Sequence, residues 1–138
     1  MQEAVGNDRH WAAAAHVAVL VLALCTSWLA GIAGMLGAGL VYLVRRDSPF
    51  VAQHAREAIN FNLSMFIYML VAFAIGIALL GATVLTLGLG LLLTLPAGIA
   101  LLLAIALVAV LWLVCSIIAA VKAWNGEPYR YPFTIRLL

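Results

Sequence analysis

The chain has 138 residues, of which 67 % are hydrophobic and only 9 % charged, with a formal net charge of +2. A soluble globular domain carries about 25 % charged residues, so that class is excluded and an integral membrane protein is expected. The seven Lys and Arg residues come in small groups, never as a basic run, so nucleic acid is not expected as a partner; the lipid bilayer is.

Residues 1–10 form a short polar tail, in which Glu3 and Asp8 offset Arg9; a secretory leader is not expected from it. From Trp11 to Val44 no charge occurs over 34 residues. As one straight helix this run is about 51 Å long against a hydrocarbon core of about 30 Å, so it must double back. Thr26, Ser27 and Trp28, followed by Gly31, place a tight turn near Ser27–Gly31, with Trp28 suited to a membrane interface. The two arms are short for spans, and a re-entrant hairpin is the alternative. Ala30, Gly34 and Ala38 recur every fourth residue, a pattern that lets helix backbones pack closely. Cys25 and Cys115 sit at different depths in apolar segments without metal-type spacing, so both are read as unpaired buried hydrophobes, and neither metal nor cofactor is expected.

The middle loop, 45–58, carries Arg45, Arg46 and Arg56. Ser48-Pro49 is a helix start, with serine as N-cap and proline where its missing N–H costs nothing. Beyond it Gln53, Glu57, Asn60 and Ser64 fall at i, i+4, i+7 and i+11 on one narrow face, a polar stripe entering the bilayer. His54 and Arg56 flank it and Tyr68 continues it. Two readings stand: residues bonded to neighbouring helices, or a cleft for a solute. His54 and Glu57 have no nucleophile beside them, so an enzyme is not expected. His16, about 8 Å along a helix from Trp11, lacks a partner ligand at matching depth and is read as a hydrogen-bonded structural histidine meeting the stripe.

Ile59–Val121 is a second uncharged tract, of 63 residues, long enough for two spans. Gly81, Gly88, Gly90, Pro96 and Gly98 are its breakers; a last helix from about Gly98 to Lys122 is expected, with the 81–96 connection in the outer interface or extending the flanking helices. Basic residues mark cytoplasmic segments. If all seven face the cytoplasm, each tract crosses an even number of times. The fold class is therefore all-α, a bundle of four membrane helices with both termini cytoplasmic. The organisation is a tail (1–10), a membrane domain (11–124) and a C-terminal tail (125–138). That tail opens on Asn125-Gly126, a helix stop, and Pro128 prevents resumption. Tyr129, Tyr131 and Phe133 alternate with Arg130 and Pro132, an extended strip expected to hold its rings at the interface, to pack over residues 53–60 and to pair Arg130 or Arg136 with Glu57; a mobile tail lying on lipid headgroups is the alternative.

Three motifs carry a family resemblance: Trp11-x4-His16; Arg46-Asp47-Ser48-Pro49-Phe50-Val51 leading to His54-Ala55-Arg56-Glu57-Ala58-Ile59-Asn60-Phe61; and Ala123 to Arg136. In this order between four apolar segments they resemble a family of small bacterial membrane proteins catalogued as a domain of unknown function and similar to the twenty-kilodalton subunit of the chloroplast inner-envelope protein import translocon. Asn62 stands where that family commonly has glutamine. The resemblance implies a part in protein translocation and a place in the bacterial inner membrane. The residues and the resemblance together lead to the expectation of a non-enzymatic scaffold or assembly accessory acting through its cytoplasmic face, with a membrane-protein partner or a second copy of itself. An oligomeric conduit for a small solute or ion is the alternative.

Overall fold

The computed structural model describes residues 6–26 and 30–138. They form four helices: α1 (Gly6–Thr26), α2 (Ala30–Val44), α3 (Pro49–Leu85) and α4 (Leu91–Trp124). The fold is all-α, as expected. The turn anticipated near Ser27, with Trp28, falls on residues 27–29, outside the described residues, as does the side chain of Cys25; Cys115 is buried and unpaired. Of the four helices, α3 and α4 are long and apolar enough to cross a membrane, whereas α2 has only 15 residues.

The chain divides into two compact units, Met1–Phe66 with Trp112–Leu138, and Ile67–Leu111. The first has a core of small side chains. Ala12, Ala15, Val51, Ala55 and Ala123 are fully buried, with Trp11, Tyr42 and Phe50 packed against them, and a second cluster joins Val19, Ala38 and Ala58. Small residues allow close helix approach: a Cβ on Gly34 would fall 3.0 Å from Val19 Cγ1, and one on Gly37 only 2.8 Å from Leu22 Cδ1. Gly34 and Ala38 of the small-residue stripe thus face α1, and Gly37 adds a close approach that the four-residue spacing does not include.

Polar contacts gather the element ends of this unit. Asp8 in the first turn of α1 accepts from Arg45 and, at 2.8 Å, from the Ser48 hydroxyl at the start of α3. The Arg45 guanidinium lies 5.7 Å above the Trp11 ring. His10 stacks on Trp124 at 4.8 Å, and a Cβ on Gly126 would meet Arg9 Nε at 2.8 Å. The start of α1, the α2–α3 loop and the end of α4 therefore meet in one place.

In the second unit α3 and α4 run longer than their glycines imply. The last helix, expected from Gly98, begins at Leu91, and Gly81, Pro96 and Gly98 all lie inside helices. An isolated glycine costs a helix only about 1 kcal/mol, which apolar helix-forming neighbours outweigh. Pro96, in the second turn of α4, removes a single donor, the one due to the Leu92 carbonyl. What stops α3 is a Schellman turn, in which Gly88 N–H donates to Thr83 O at 2.9 Å and Leu87 N–H to Val84 O at 3.0 Å. Leu87 takes the left-handed position, with φ 52°. The Thr83 and Thr94 hydroxyls bond across the turn at 2.6 Å. This unit contains no charged residue, and Phe73, Leu80, Leu92, Leu102 and Leu107 are exposed on it.

Candidate functional site

The end of α4 aims the tail. Gly126 (φ 79°) provides the left-handed turn, while its N–H donates to Ala123 O at 3.1 Å and that of Glu127 to Lys122 O at 2.9 Å. Lys122 closes on the Glu127 carboxylate at 2.7 Å. With Pro128 next, the helix does not resume, and residues 129–138 run along α3 without regular structure.

The polar stripe of α3 receives the tail. Glu57 Oε2 accepts from Tyr131 N–H at 3.3 Å, and Glu57 Oε1 lies 3.5 Å from Arg136 Nε. Asn60 Oδ1 accepts from Leu137 and Leu138 N–H at 3.2 and 3.1 Å, while its Nδ2 donates to Leu138 O at 3.1 Å. The Ser64 hydroxyl accepts from Ile135 N–H at 2.8 Å and donates to Asn60 O at 2.7 Å. An extended segment with no strand partner has its backbone donors met by side chains instead. Glu57, Asn60 and Ser64 are all buried, whereas Gln53, on the same face one turn earlier, is exposed. The stripe expected from the sequence therefore comes together without its first member. Tyr68 lies in the other unit.

Tyr131 is the tail's anchor. Only 3 % exposed, it stacks on Phe61 at 4.0 Å with 14° between the rings. Its expected place at the interface is corrected to the core of the first unit, because Phe61 and His16 offer its ring and its hydroxyl a better match than a headgroup layer does. Tyr129 is half-buried at 5.1 Å from it, and Arg130 between them is exposed. The strict alternation fails at Phe133, which takes a left-handed φ of 55° and is 73 % exposed.

Beneath Tyr131 runs a chain of rings. The Glu127 carbonyl can only accept, so His54 Nε2 carries the proton that it shares with that oxygen at 3.2 Å. With both imidazoles neutral, His54 Nδ1 is then an acceptor, and His16 Nε2 donates to it at 3.0 Å. His16 Nδ1 accepts in turn from the Tyr131 hydroxyl at 2.9 Å. The direction of every bond follows from one carbonyl. His16 and His54 are each 1 % exposed, so the expectation that His16 has no partner at matching depth is corrected: the packing of α1 against α3 brings the two rings to one level. Burial pushes the Tyr131 phenol well above its ordinary value and that of Tyr129 up to about 12. The buried Ser116 hydroxyl lies against the Tyr131 phenol but makes no hydrogen bond of ordinary geometry.

Two polar side chains outside the stripe hold the helices around it, Asn62 and Asp8. Asn62 Nδ2 donates to Ala58 O at 2.8 Å, and its Oδ1 accepts from Trp112 Nε1 at 3.1 Å. That oxygen is also 3.3 Å from where a Gly34 Cβ would stand, so α2, α3 and α4 meet at this amide. A search for a single stripe passes over Asn62 because it sits two residues from Asn60, on another face; the signal that points to it is a tryptophan N–H in an apolar helix needing an acceptor. Asp8, in sequence only a member of a polar tail, is the residue that ties α1 to the α2–α3 loop. No group of three His, Cys, Asp or Glu side chains stands together among the described residues.

Four helices, two of them long and apolar enough to cross a membrane, with the C-terminal tail packed on the third, define a small all-α protein. The chain belongs to the magnetosome magnetite crystal formation protein family, whose model matches residues 7–138. No curated protein and no solved structure matches it.

Proposed function

We propose that this chain takes part in magnetite crystal formation as a non-enzymatic scaffold or assembly component of the magnetosome membrane, acting through the end of the molecule where its charged residues collect. In this reading the protein crosses the membrane several times with both termini on the cytoplasmic side, a narrower location than the bacterial inner membrane at large. A part in translocation, implied by the motifs at 46–61 and 123–136, rests on that resemblance alone.

The observation that supports the assembly reading is the occupation of the stripe. Glu57, Asn60 and Ser64 spend their hydrogen-bonding capacity on residues 131–138 of the same chain. A conduit along α3 would need those groups open to a passing solute, whereas a scaffold needs a shaped, rigid face. The test replaces the chromosomal copy in a magnetite-forming host with the full chain, with nothing, and with a chain lacking residues 129–138. Crystal dimensions are measured by electron microscopy and neighbours are captured by crosslinking from position 46. The null and tail-less strains are expected to form altered crystals. The full chain should crosslink to a partner or to a second copy of itself, and the tail-less chain should not. Normal crystals without the protein, or solute flux through the purified chain in liposomes, would overturn the reading.

A further inference from the structure

A groove of about 460 Å³ opens beside the docked tail, and arginines dominate its lining: Arg46 from the α2–α3 loop, Arg56 from α3, and Arg130 and Arg136 from the tail. Among the described residues Glu57 is the one acidic side chain on its walls, and it is already engaged by Arg136 and by Tyr131 N–H. Even if Leu138 carries a terminal carboxylate there, guanidinium groups remain in excess.

Two of the four are held in place. Arg56 Nη2 donates to the Tyr42 hydroxyl at 2.9 Å with its guanidinium 5.3 Å from that ring, and Arg136 reaches both Glu57 and Tyr131 O at 3.5 Å. Arg46 and Arg130, in contrast, have no hydrogen-bond or ion-pair partner among the described residues, and both are exposed. Pro49 and Ala52, in the opening turns of the 37-residue α3, form part of the wall. The groove thus also borders the positive end of a helix. Like charges brought together by three separate segments repel one another, and the arrangement is relieved by an anion with several oxygens. Guanidinium forks match phosphate oxygens in geometry and charge.

We propose that this groove binds a phosphate-bearing anion, with Arg46 and Arg130 as its two free arms and Arg56 and Arg136 as its fixed ones. The same chemistry is offered by the headgroup of an anionic phospholipid and by free phosphate. The site goes beyond the assembly role and does not depend on it.

The experiment uses the full chain purified in a non-ionic detergent. One arm incubates it with phosphatidylglycerol or with phosphatidylcholine and counts retained lipid by native mass spectrometry. The other follows thermal unfolding against inorganic phosphate at constant ionic strength, with chloride as control. The variant is Arg46→Gln/Arg130→Gln; neither side chain holds anything in the fold and the change lessens the repulsion among the arginines, so its melting temperature without anion should be no lower than that of the parent. Affinity is expected to fall roughly tenfold for each arginine removed, with Arg46→Lys/Arg130→Lys retaining part of it. Retention of phosphatidylglycerol over phosphatidylcholine without a phosphate effect assigns the site to a headgroup. A phosphate-induced rise in melting temperature without lipid retention assigns it to the free anion. Both together mean that phosphate competes for a headgroup site. If parent and glutamine variant behave alike in both arms, the groove is not an anion site.

Discussion

The ring chain His54–His16–Tyr131 is one-directional because Glu127 ends it with a carbonyl, and this fixes what single changes do. Tyr131→Phe keeps the stack on Phe61 but removes the donor to His16 Nδ1, leaving a buried acceptor unmet, a loss of about 1–3 kcal/mol. Thermal unfolding in detergent measures it. The phenol also sets an alkaline limb: its pKa is higher folded than unfolded, where it is about 10. Its contribution is full below that value and is lost as pH rises above it, since the unfolded chain gives up the proton first. Stability should therefore decline above about pH 10, and less steeply in Tyr131→Phe; equal slopes would mean that the phenol is not buried in solution. Leu87 gives a change of opposite sign. It occupies a left-handed helix stop that costs a branched-chain residue about 1–2 kcal/mol, and it is 94 % exposed, so Leu87→Gly should raise the melting temperature. Glu57, Asn60 and Ser64 were legible in the sequence, because polar residues at helical spacing in apolar surroundings stand out; His16 and His54 each stood out as well, but not as a pair, because their separate helices give no sign of a shared depth. Asn62 and Ser116 were not, since each is a single polar residue on a face that is otherwise apolar.

At the level of elements, the tail is held by many shared bonds rather than by its ion pair. Arg136 is 47 % exposed at the side chain, so coupling between Glu57→Gln and Arg136→Gln in a double-mutant cycle should be about 1 kcal/mol or less. Asn60 makes three hydrogen bonds to residues 137 and 138, and Tyr131 fills the space over Phe61. Deleting residues 129–138 uncovers Phe61, Asn60 and Ser64 together and should lower the melting temperature far more than either charge change. An unchanged melting temperature would show the tail to be undocked. The helix stop at Asn125-Gly126 and the tail's return over α3 could be read from sequence because glycine and proline there leave the backbone few choices. The end of α3 could be read only in part: Gly88, one of the expected breakers, takes a φ of 87° there, but the residue before it in the left-handed position is Leu87, whose side chain carries no turn signal, while Gly81 and Gly98 carry one and are overruled by their neighbours.

At the scale of the whole molecule, the proposed topology rests on charge parity and on the contacts among the element ends. Every basic residue lies in one unit, and Ile67–Leu111 has no charge at all. Asp8 binds both Arg45 and Ser48, His10 lies on Trp124, and Arg9 lies against Gly126. These contacts bring the start of α1, the α2–α3 loop and the end of α4 to one place; in the proposed topology α1 and α2 therefore enter and leave on the same side, whether as two spans or as a re-entrant hairpin. From Ile59 onward α3 is uncharged, as is α4 up to Val121, and each uncharged stretch exceeds the roughly 20 residues needed to cross. The expected outcome is that reporters fused after Arg46 and after Leu138 give the same, cytoplasmic, signal and that one inserted between Thr83 and Thr94 gives the opposite one. The result that would sink it is a signal after Arg46 opposite to that after Leu138, since the Asp8–Arg45 bond and the His10–Trp124 contact could not then both form on one side of a bilayer. A cysteine at position 28 distinguishes the two forms of the α1–α2 pair: labelling by an impermeant maleimide from the non-cytoplasmic side indicates two full crossings, and protection from both sides indicates a hairpin that stops within the membrane.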